Sequence, residues 1–413
     1  MKIKSIFALL LLFQFVFSQQ RTCGTDLYMQ KMATDPIAKQ KHFDLQNSFK
    51  IELLKLKNQQ DKSATNISSI TKIPVAVHFP NVATNSTDKS CLKQLAQNQI
   101  DILNADFKAI NSDIVLWTPT VSALYPGTNL GSFNVEFVLA TLNHPTNTGI
   151  NNGQVAVTFG TNFLAGSDND DQWKGYMNIV VRVAGGLGYS PLGGSPNDGG
   201  TVVINYDAFG SGLGCTDYTP QGDYNLGRTL SHEIGHFFNL DHTFGSDECL
   251  ISNTDHVDDT PQCRGSGGCP VIGSVLGCIV GQKSLTMNYM DYTDDACMFM
   301  FTAGQVQRMR AYYNTIASEF STNVLKNDNF ELKNFALYPN PNTGSFKISF
   351  ITNNSEEVKI TINDIQGRKI FAENFQNKGI FNQEITLDKA QSGIYLVSIL
   401  NGEYKTVKRI VVE

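Results

Sequence analysis

Three of the chain's seven histidines lie in one window, His232-Glu-Ile-Gly-His-Phe-Phe-Asn-Leu-Asp-His242. On a helix, His232 and His236 stand at i and i+4 and project from one face, so two imidazoles reach a single cation. Leu230, Ile234 and Phe237 fall on the side that faces a core. For His242 to join them the helix must stop and the chain reverse, which needs a residue that tolerates left-handed dihedrals. Asn239 stands at that point, and Asn ranks next to Gly for the task. Three neutral histidines with one open position form a catalytic zinc arrangement, whereas structural zinc sites are closed by four ligands, mostly Cys. Glu233, beside the first ligand, is placed to take a proton from a zinc-activated water and to return it to a leaving amine.

The remainder of the chain frames this motif. With 413 residues, 41% hydrophobic and only 17% charged, it is a globular protein of two or three domains. A net charge of −6 excludes a general basic surface for nucleic acid or anionic lipid. Lys2, Lys4, the apolar run Ile6–Phe17 and Ser18 make residues 1–18 a secretory signal peptide. A membrane anchor needs about 20 apolar residues, and Gln14 and Gln19–Arg21 cut this run short, so no transmembrane anchor is expected in the mature chain. Residues 19–70 are polar and helix-prone, with Ile51, Leu53, Leu54 and Leu56 among them. Residues 71–325 mix strands expected at Ile73–Phe79, Phe133–Ala140, Tyr176–Val183 and Thr201–Tyr206 with a helix over Leu92–Ile110. That is an α/β (α+β) domain around a twisted mixed sheet, with a Gly-rich loop at Gly185–Gly200. Over residues 330–413 alternating runs at Phe346–Phe350, Val358–Ile362, Ile394–Ile399 and Val407–Val412 take over. Turn signals at Asn342-Thr-Gly344, Gln366-Gly367 and Asn401-Gly402 separate them, the pattern of an antiparallel β-sandwich.

The zinc motif, together with Val202-Val-Ile-Asn-Tyr206, Asn225-Leu-Gly-Arg-Thr-Leu230 and Asn288-Tyr-Met-Asp-Tyr292, resembles the pappalysin-like (cytophagalysin) metzincin metalloproteases. Asn239 replaces the Gly of the general metzincin pattern, a departure that the pappalysin-like members share. The resemblance implies that Met290 forms a hydrophobic floor under the zinc ligands. It also implies that the Tyr292 hydroxyl stabilises the oxyanion of the tetrahedral intermediate. Asp255, Asp258, Asp259 and Thr260 form an oxygen-rich loop that suits calcium, as in some members; a solvated acidic turn closed by Thr260-Pro261 fits equally. Asp294 and Asp295 are candidates for the pocket that receives the residue after the scissile bond, and would favour a basic side chain there. Cys23, in Arg21-Thr-Cys-Gly24, matches the family's cysteine switch, a fourth zinc ligand that keeps the precursor latent until residues 19–70 are removed. Resemblance also pairs Cys249 with Cys278 and Cys269 with Cys297; Cys91, Cys215 and Cys263 stay unassigned.

Tyr338-Pro-Asn-Pro-Asn-Thr-Gly344, Ile365-Gln-Gly-Arg368, Ser392-Gly-Ile-Tyr395 and Lys408-Arg-Ile-Val-Val-Glu413 resemble the C-terminal sorting domain of the type IX secretion system. That implies passage through the periplasm, the type IX machinery as a partner, and release or surface attachment. The combined expectation is a secreted zinc endopeptidase, made as a zymogen, that cuts protein or peptide substrates. A surface adhesin on a silent metzincin fold and a zinc amidase are the alternatives; the intact Glu233 argues against the adhesin.

Overall fold

The computed structural model describes residues 22–59, 71–160, 171–198, 201–245, 249, 254–325, 333–351, 357–365, 368–377, 379–387, 390–401 and 404–413. The expected signal peptide and residues 60–70 lie outside them, as do Gln366-Gly367 of one turn signal and Gly402 of another. The chain divides into two compact units, Met1–Lys326 and Asn327–Glu413.

The first unit opens with helices α1 (Thr25–Met32) and α2 (Pro36–Gln59). Strand β1 (Thr71–Phe79) follows, buried without a break from Ile73 to Phe79. A continuous apolar run rather than an alternating one marks a strand covered on both faces. Helix α3 (Lys89–Phe107) buries Leu92, Leu95, Ala96, Ile100, Leu103 and Phe107, the three-and-four spacing of one helical face. It ends before the expected Ile110, because the chain enters the left-handed region at Ala109 (φ 53°) and leaves Ile110 69% exposed. The single-turn helix α4 (Pro119–Ser122) is capped by Thr118.

Strands β2 (Val135–Leu139), β3 (Val157–Phe159), β4 (Met177–Val181), β5 (Gly188–Tyr189) and β6 (Thr201–Ile204) complete a sheet ordered β2-β1-β4-β6-β5, with β3 also on β1. All described pairings are parallel except β5 with β6, so β5 is an antiparallel edge on an otherwise parallel sheet. Helix α5 (Arg228–Phe237) carries the first two histidines. The short pair β7 (Gly267–Gly268) and β8 (Tyr292–Thr293) and helix α6 (Ala303–Ile316), started by a Thr302/Gln305 capping box, close the unit. One core joins β1, α3, α5 and α6 through Val75, Leu103, Phe107, Ile234, Phe237, Met290 and Tyr312.

Disulfides link Cys249 to Cys278 and Cys269 to Cys297, and a third joins Cys91 on α3 to Cys215. Cys263, left over by this pairing, is a buried free thiol.

The second unit contains β9 (Lys333–Tyr338), β10 (Ser345–Ile351), β11 (Val358–Asp364), β12 (Lys369–Phe375), β13 (Ile380–Thr386), β14 (Gly393–Asn401) and β15 (Tyr404–Val412). They form antiparallel sheets ordered β13-β10-β9 and β12-β11-β14-β15. Phe346, Ile348 and Phe350 of one sheet and Val358, Ile360, Ile362, Val397 and Ile399 of the other share one core, the interior of a sandwich.

Candidate metal centre

All ten residues of α5 are buried, and both ends of the helix are held from distant parts of the chain. At its start the chain passes through Gly227 (φ 74°), while the Asp295 carboxylate accepts from the N–H groups of Leu226 (3.0 Å) and Arg228 (3.1 Å). An anion there satisfies orphan donors and complements the helix dipole. At its end Gly193 and Gly194, from the Gly-rich loop, donate to the carbonyls of His236 (2.8 Å) and Phe237 (3.0 Å). A Cβ on Gly194 would stand 2.4 Å from the Phe237 ring. Asn239 then turns the chain with φ 68°, so that His242 swings back beside the helix.

The three rings converge. His236 Nε2 lies 3.1 Å from His232 Nε2 and 3.1 Å from His242 Nε2. The opposite nitrogens are tied down: His232 Nδ1 is 2.7 Å from the Tyr289 carbonyl, and His236 Nδ1 is 2.7 Å from that of Leu240. A carbonyl only accepts, so each Nδ1 carries the hydrogen and each Nε2 turns a lone pair toward the common point. Burial pushes His236 down to about 4, which keeps it neutral near pH 7. The Cys23 Sγ joins them, with the four candidate ligand atoms all within 4.8 Å of one another. An N₃S donor set at this spacing fits zinc, for which bonds of about 2.0–2.1 Å to nitrogen place tetrahedral ligand atoms roughly 3.3 Å apart.

Cys23 arrives on an added strand. Leu187 N–H donates to the Thr22 carbonyl (3.1 Å) and Gly24 N–H to the Gly188 carbonyl (2.9 Å), so Thr22–Gly24 runs parallel to the β5 edge. The Thr25 hydroxyl donates to the Ser190 carbonyl (3.0 Å) and accepts from Ser190 N–H (3.2 Å). Glu233 Oε2 sits 3.6 Å from Cys23 Sγ and 3.4 Å from Thr25 Oγ1. Burial, and then the Glu233 carboxylate, push the Cys23 thiol well up; a cation among these donors acts in the opposite sense, because it binds the thiolate.

Met290 is fully buried against Gly235 of α5, with its N–H on Asn288 Oδ1 (2.9 Å). Asn288 and Gln305 exchange carboxamide hydrogen bonds at 2.7 and 2.9 Å, which ties this turn to the start of α6. Tyr292 places its ring centroid 4.8 Å from that of His242 and 5.9 Å from that of His232. Burial pushes its phenol upward, with Cys23 and Glu233 adding to the effect.

Other candidates are placed differently. Asp295 is fully buried and committed to the start of α5, so it is not a pocket residue; its neighbour Asp294 is half-buried. The acidic-loop carboxylates face separate partners. Asp255 accepts from Val257 N–H and Thr260 Oγ1, and burial raises it to about 7. Asp259 accepts from Thr302 Oγ1 and Gly304 N–H, and exposed Asp258 pairs with Lys57 at 2.9 Å. Among the described residues, the one cluster of three or more His, Cys, Asp or Glu donors is that of Cys23 and the three histidines.

A buried network escaped the sequence reading. Arg228 donates to Tyr289 Oη (2.8 Å), the Met298 carbonyl (2.8 Å) and Asp113 (3.1 Å), and its Nε lies 3.4 Å from Asp106. Asp106 also accepts from Ser231 (2.6 Å), and burial raises its carboxyl to about 6. The network locks α3, α5 and the Met290 turn together; its members are scattered over residues 106–298, and nothing in the local sequence pairs them.

Comparison with known proteins agrees with this geometry. Residues 167–314 match the peptidase M43 family, described as pregnancy-associated plasma protein-A, and residues 336–413 match a secretion system C-terminal sorting domain. The chain is similar to a promirolysin mutant from Tannerella forsythia, at 31% identity over 71% of this chain and 94% of that one, with a TM-score of 0.51. It is similar to mirolysin in complex with compound 9, at 32% identity over 62% of this chain and 97% of that one, with a TM-score of 0.50. An extracellular metalloprotease of Verticillium alfalfae is 45% identical over 151 residues, 33% of this chain and 50% of the relative. The chain spans half or less of the length of the first curated relatives it matches. No helix among the described residues is long and apolar enough to cross a membrane. The three converging histidines thus stand in a chain that belongs to the peptidase M43, or pappalysin, family and carries a secretion-system sorting domain at its C terminus.

Proposed function

We propose that this chain is a secreted zinc-dependent endopeptidase, made as a latent precursor and directed outward by residues 330–413. The observation that carries this reading is the approach of three Nε2 atoms to within 3.1 Å of their neighbours, with the Glu233 carboxylate beside the Cys23 sulfur that completes the donor set. His232, His236 and His242 would hold the zinc, which supplies Lewis acidity sufficient to bring a water's pKa toward about 7.

The chain's own groups supply the rest. Glu233 Oε2 takes the proton of the attacking water and passes it to the leaving amine. The Tyr292 hydroxyl donates to the developing oxyanion. The Nδ1 hydrogen bonds to Tyr289 and Leu240 hold the ligand rings in one tautomer and one orientation. Cys23 and Thr25 occupy the side of the site that Glu233 faces, which supports latency while residues 19–70 remain attached. Half-buried Asp294 is the remaining candidate for favouring a basic residue after the scissile bond, and the acidic loop for calcium.

Processed protein incubated with casein or gelatin tests the reading. Cleavage should disappear with a chelator, return with zinc, and be absent from Glu233→Ala. Cleavage that survives the chelator, or full activity of Glu233→Ala, overturns it.

A further inference from the structure

Helix α2 lies along the first unit on one face. Leu45, Gln46, Phe49, Glu52, Leu53 and Leu56 recur on it at helical spacing and meet the core or its rim, whereas Ile51 and Leu54 point outward, 58% and 61% exposed. Phe49 is only 2% exposed; its ring lies 5.8 Å from that of Tyr312 and 4.9 Å from the Arg308 guanidinium. One turn earlier, Gln46 and Asn239 exchange carboxamide hydrogen bonds, Gln46 Nε2 donating to Oδ1 (2.9 Å) and Asn239 Nδ2 donating to Gln46 Oε1 (3.1 Å). Arg308 Nε donates to the Asn239 carbonyl (2.7 Å), so a single guanidinium serves both the aromatic anchor and the turn before His242. Toward the far end, Glu52 accepts from Asn314 (3.0 Å) and Lys57 pairs with Asp258. None of these contacts involves Cys23, which is bound separately along β5.

We propose that α2, and not the Cys23 thiol, retains the pro-segment on the enzyme. A pro-segment severed after α2 then stays docked, and the surface formed by α6 and Asn239 is a groove for one amphipathic helix with Gln and Phe three residues apart. Its occupant is this chain's own Pro36–Gln59. The inference rests on the reading of residues 19–70 as a removable pro-segment. A thiol ligand is a single contact that water or substrate replaces, whereas a buried aromatic ring and a reciprocal amide pair hold through excluded surface and fixed geometry. Activation therefore takes two steps, a cut and the stripping of α2. While α2 remains, the side chain of Asn239 stays engaged.

The full-length precursor, with a specific protease site inserted between α2 and β1, tests this. After cutting, gel filtration with zinc present should show the pro-segment fragment co-eluting with the enzyme in wild type and in Cys23→Ala. In Phe49→Ala, where retention weakens by more than about a hundredfold, the fragment should separate; Gln46→Ala should lose it in part. Release from Cys23→Ala together with retention by Phe49→Ala overturns the proposal. Latency reads out elsewhere: if uncut Cys23→Ala stays as inactive as wild type, the thiol's inhibitory role fails while the co-elution result stands. Should the Phe49→Ala precursor misfold, synthetic peptides of residues 36–59 with and without that change can be titrated by fluorescence anisotropy onto pro-segment-stripped enzyme. Saturable binding of the unmodified peptide alone supports the proposal, and no binding overturns it.

Discussion

Gly235 of α5 and Met290 of the following turn touch so closely that a Cβ built on Gly235 falls 2.4 Å from Met290 Sδ. The helix that carries His232 and His236 thus rests on the methionine through a residue without a side chain. In an exposed helix Gly→Ala gains about 1 kcal/mol; here Gly235→Ala should lower Tm by several degrees and weaken zinc binding, because the floor must move. The double variant Gly235→Ala/Met290→Ala should recover part of the loss, which thermal melts and zinc titration of the four proteins check. A higher Tm for Gly235→Ala would contradict the contact.

Asp295 and Asp294 are neighbours with separable roles. Removing the Asp295 carboxylate strands the N–H groups of Leu226 and Arg228 and should cost about 1–3 kcal/mol of stability. Asp295→Ala should therefore lower the urea midpoint without changing cleavage preference. Asp294→Ala should leave the midpoint in place and reduce any preference for a basic residue after the scissile bond, as read in a peptide library.

His78 gives the first unit an acid sensitivity of its own. It is fully buried between Thr158 Oγ1 (2.8 Å) and Asn178 Oδ1 (3.1 Å), and burial lowers it to about 3. The unfolded chain, where His titrates near 6.5, binds a proton that the folded chain refuses, so stability is lost as pH falls from about 6.5 toward 3. One such group contributes a slope of about 1.4 kcal/mol per pH unit. Urea unfolding at pH 7 and pH 4.5 should show a smaller loss for His78→Gln than for wild type; equal losses would remove His78 from the account.

Cys23→Ala should give a precursor that cleaves substrate before processing and matures faster. Thr25→Val, which loses the two-way bond to Ser190, should do so more weakly. Time courses of precursor disappearance on gels compare them, and unchanged rates for both would exclude the Thr22–Thr25 strand from latency.

Deleting residues 327–413 should leave the Tm of the first unit within a few degrees of its original value, since the second unit has its own core. The same deletion should hold the protein in the periplasm, as cell fractionation would show; normal secretion would exclude a sorting role.

The parts of this molecule that were legible in sequence are those whose chemistry is rare or whose spacing is local. The histidines, Glu233 and Asn239 fall in one short window, and α3 announces itself by three-and-four apolar spacing; β1 reads from sequence as an alternating strand, and its burial on both faces emerges only in the sheet. Gln46 and Phe49 read as ordinary members of a polar helix, because their partners Asn239, Arg308 and Tyr312 are known only once the chain has folded. Asp295 was misread for the same reason: beside the Met290 turn it resembles a pocket carboxylate, and nothing local shows that Leu226 and Arg228 consume it. The pairing of Cys91 with Cys215 spans 124 residues, a distance over which spacing carries no information.

The clamping of α5 from both sides, by Gly193 and Gly194 upstream and Asp295 downstream, makes the geometry of the histidine pair a property of the whole unit rather than of one helix. His232 and His236 take their orientation from loops that lie on either side of them in sequence, so a change in either loop reaches the ligand rings without touching them.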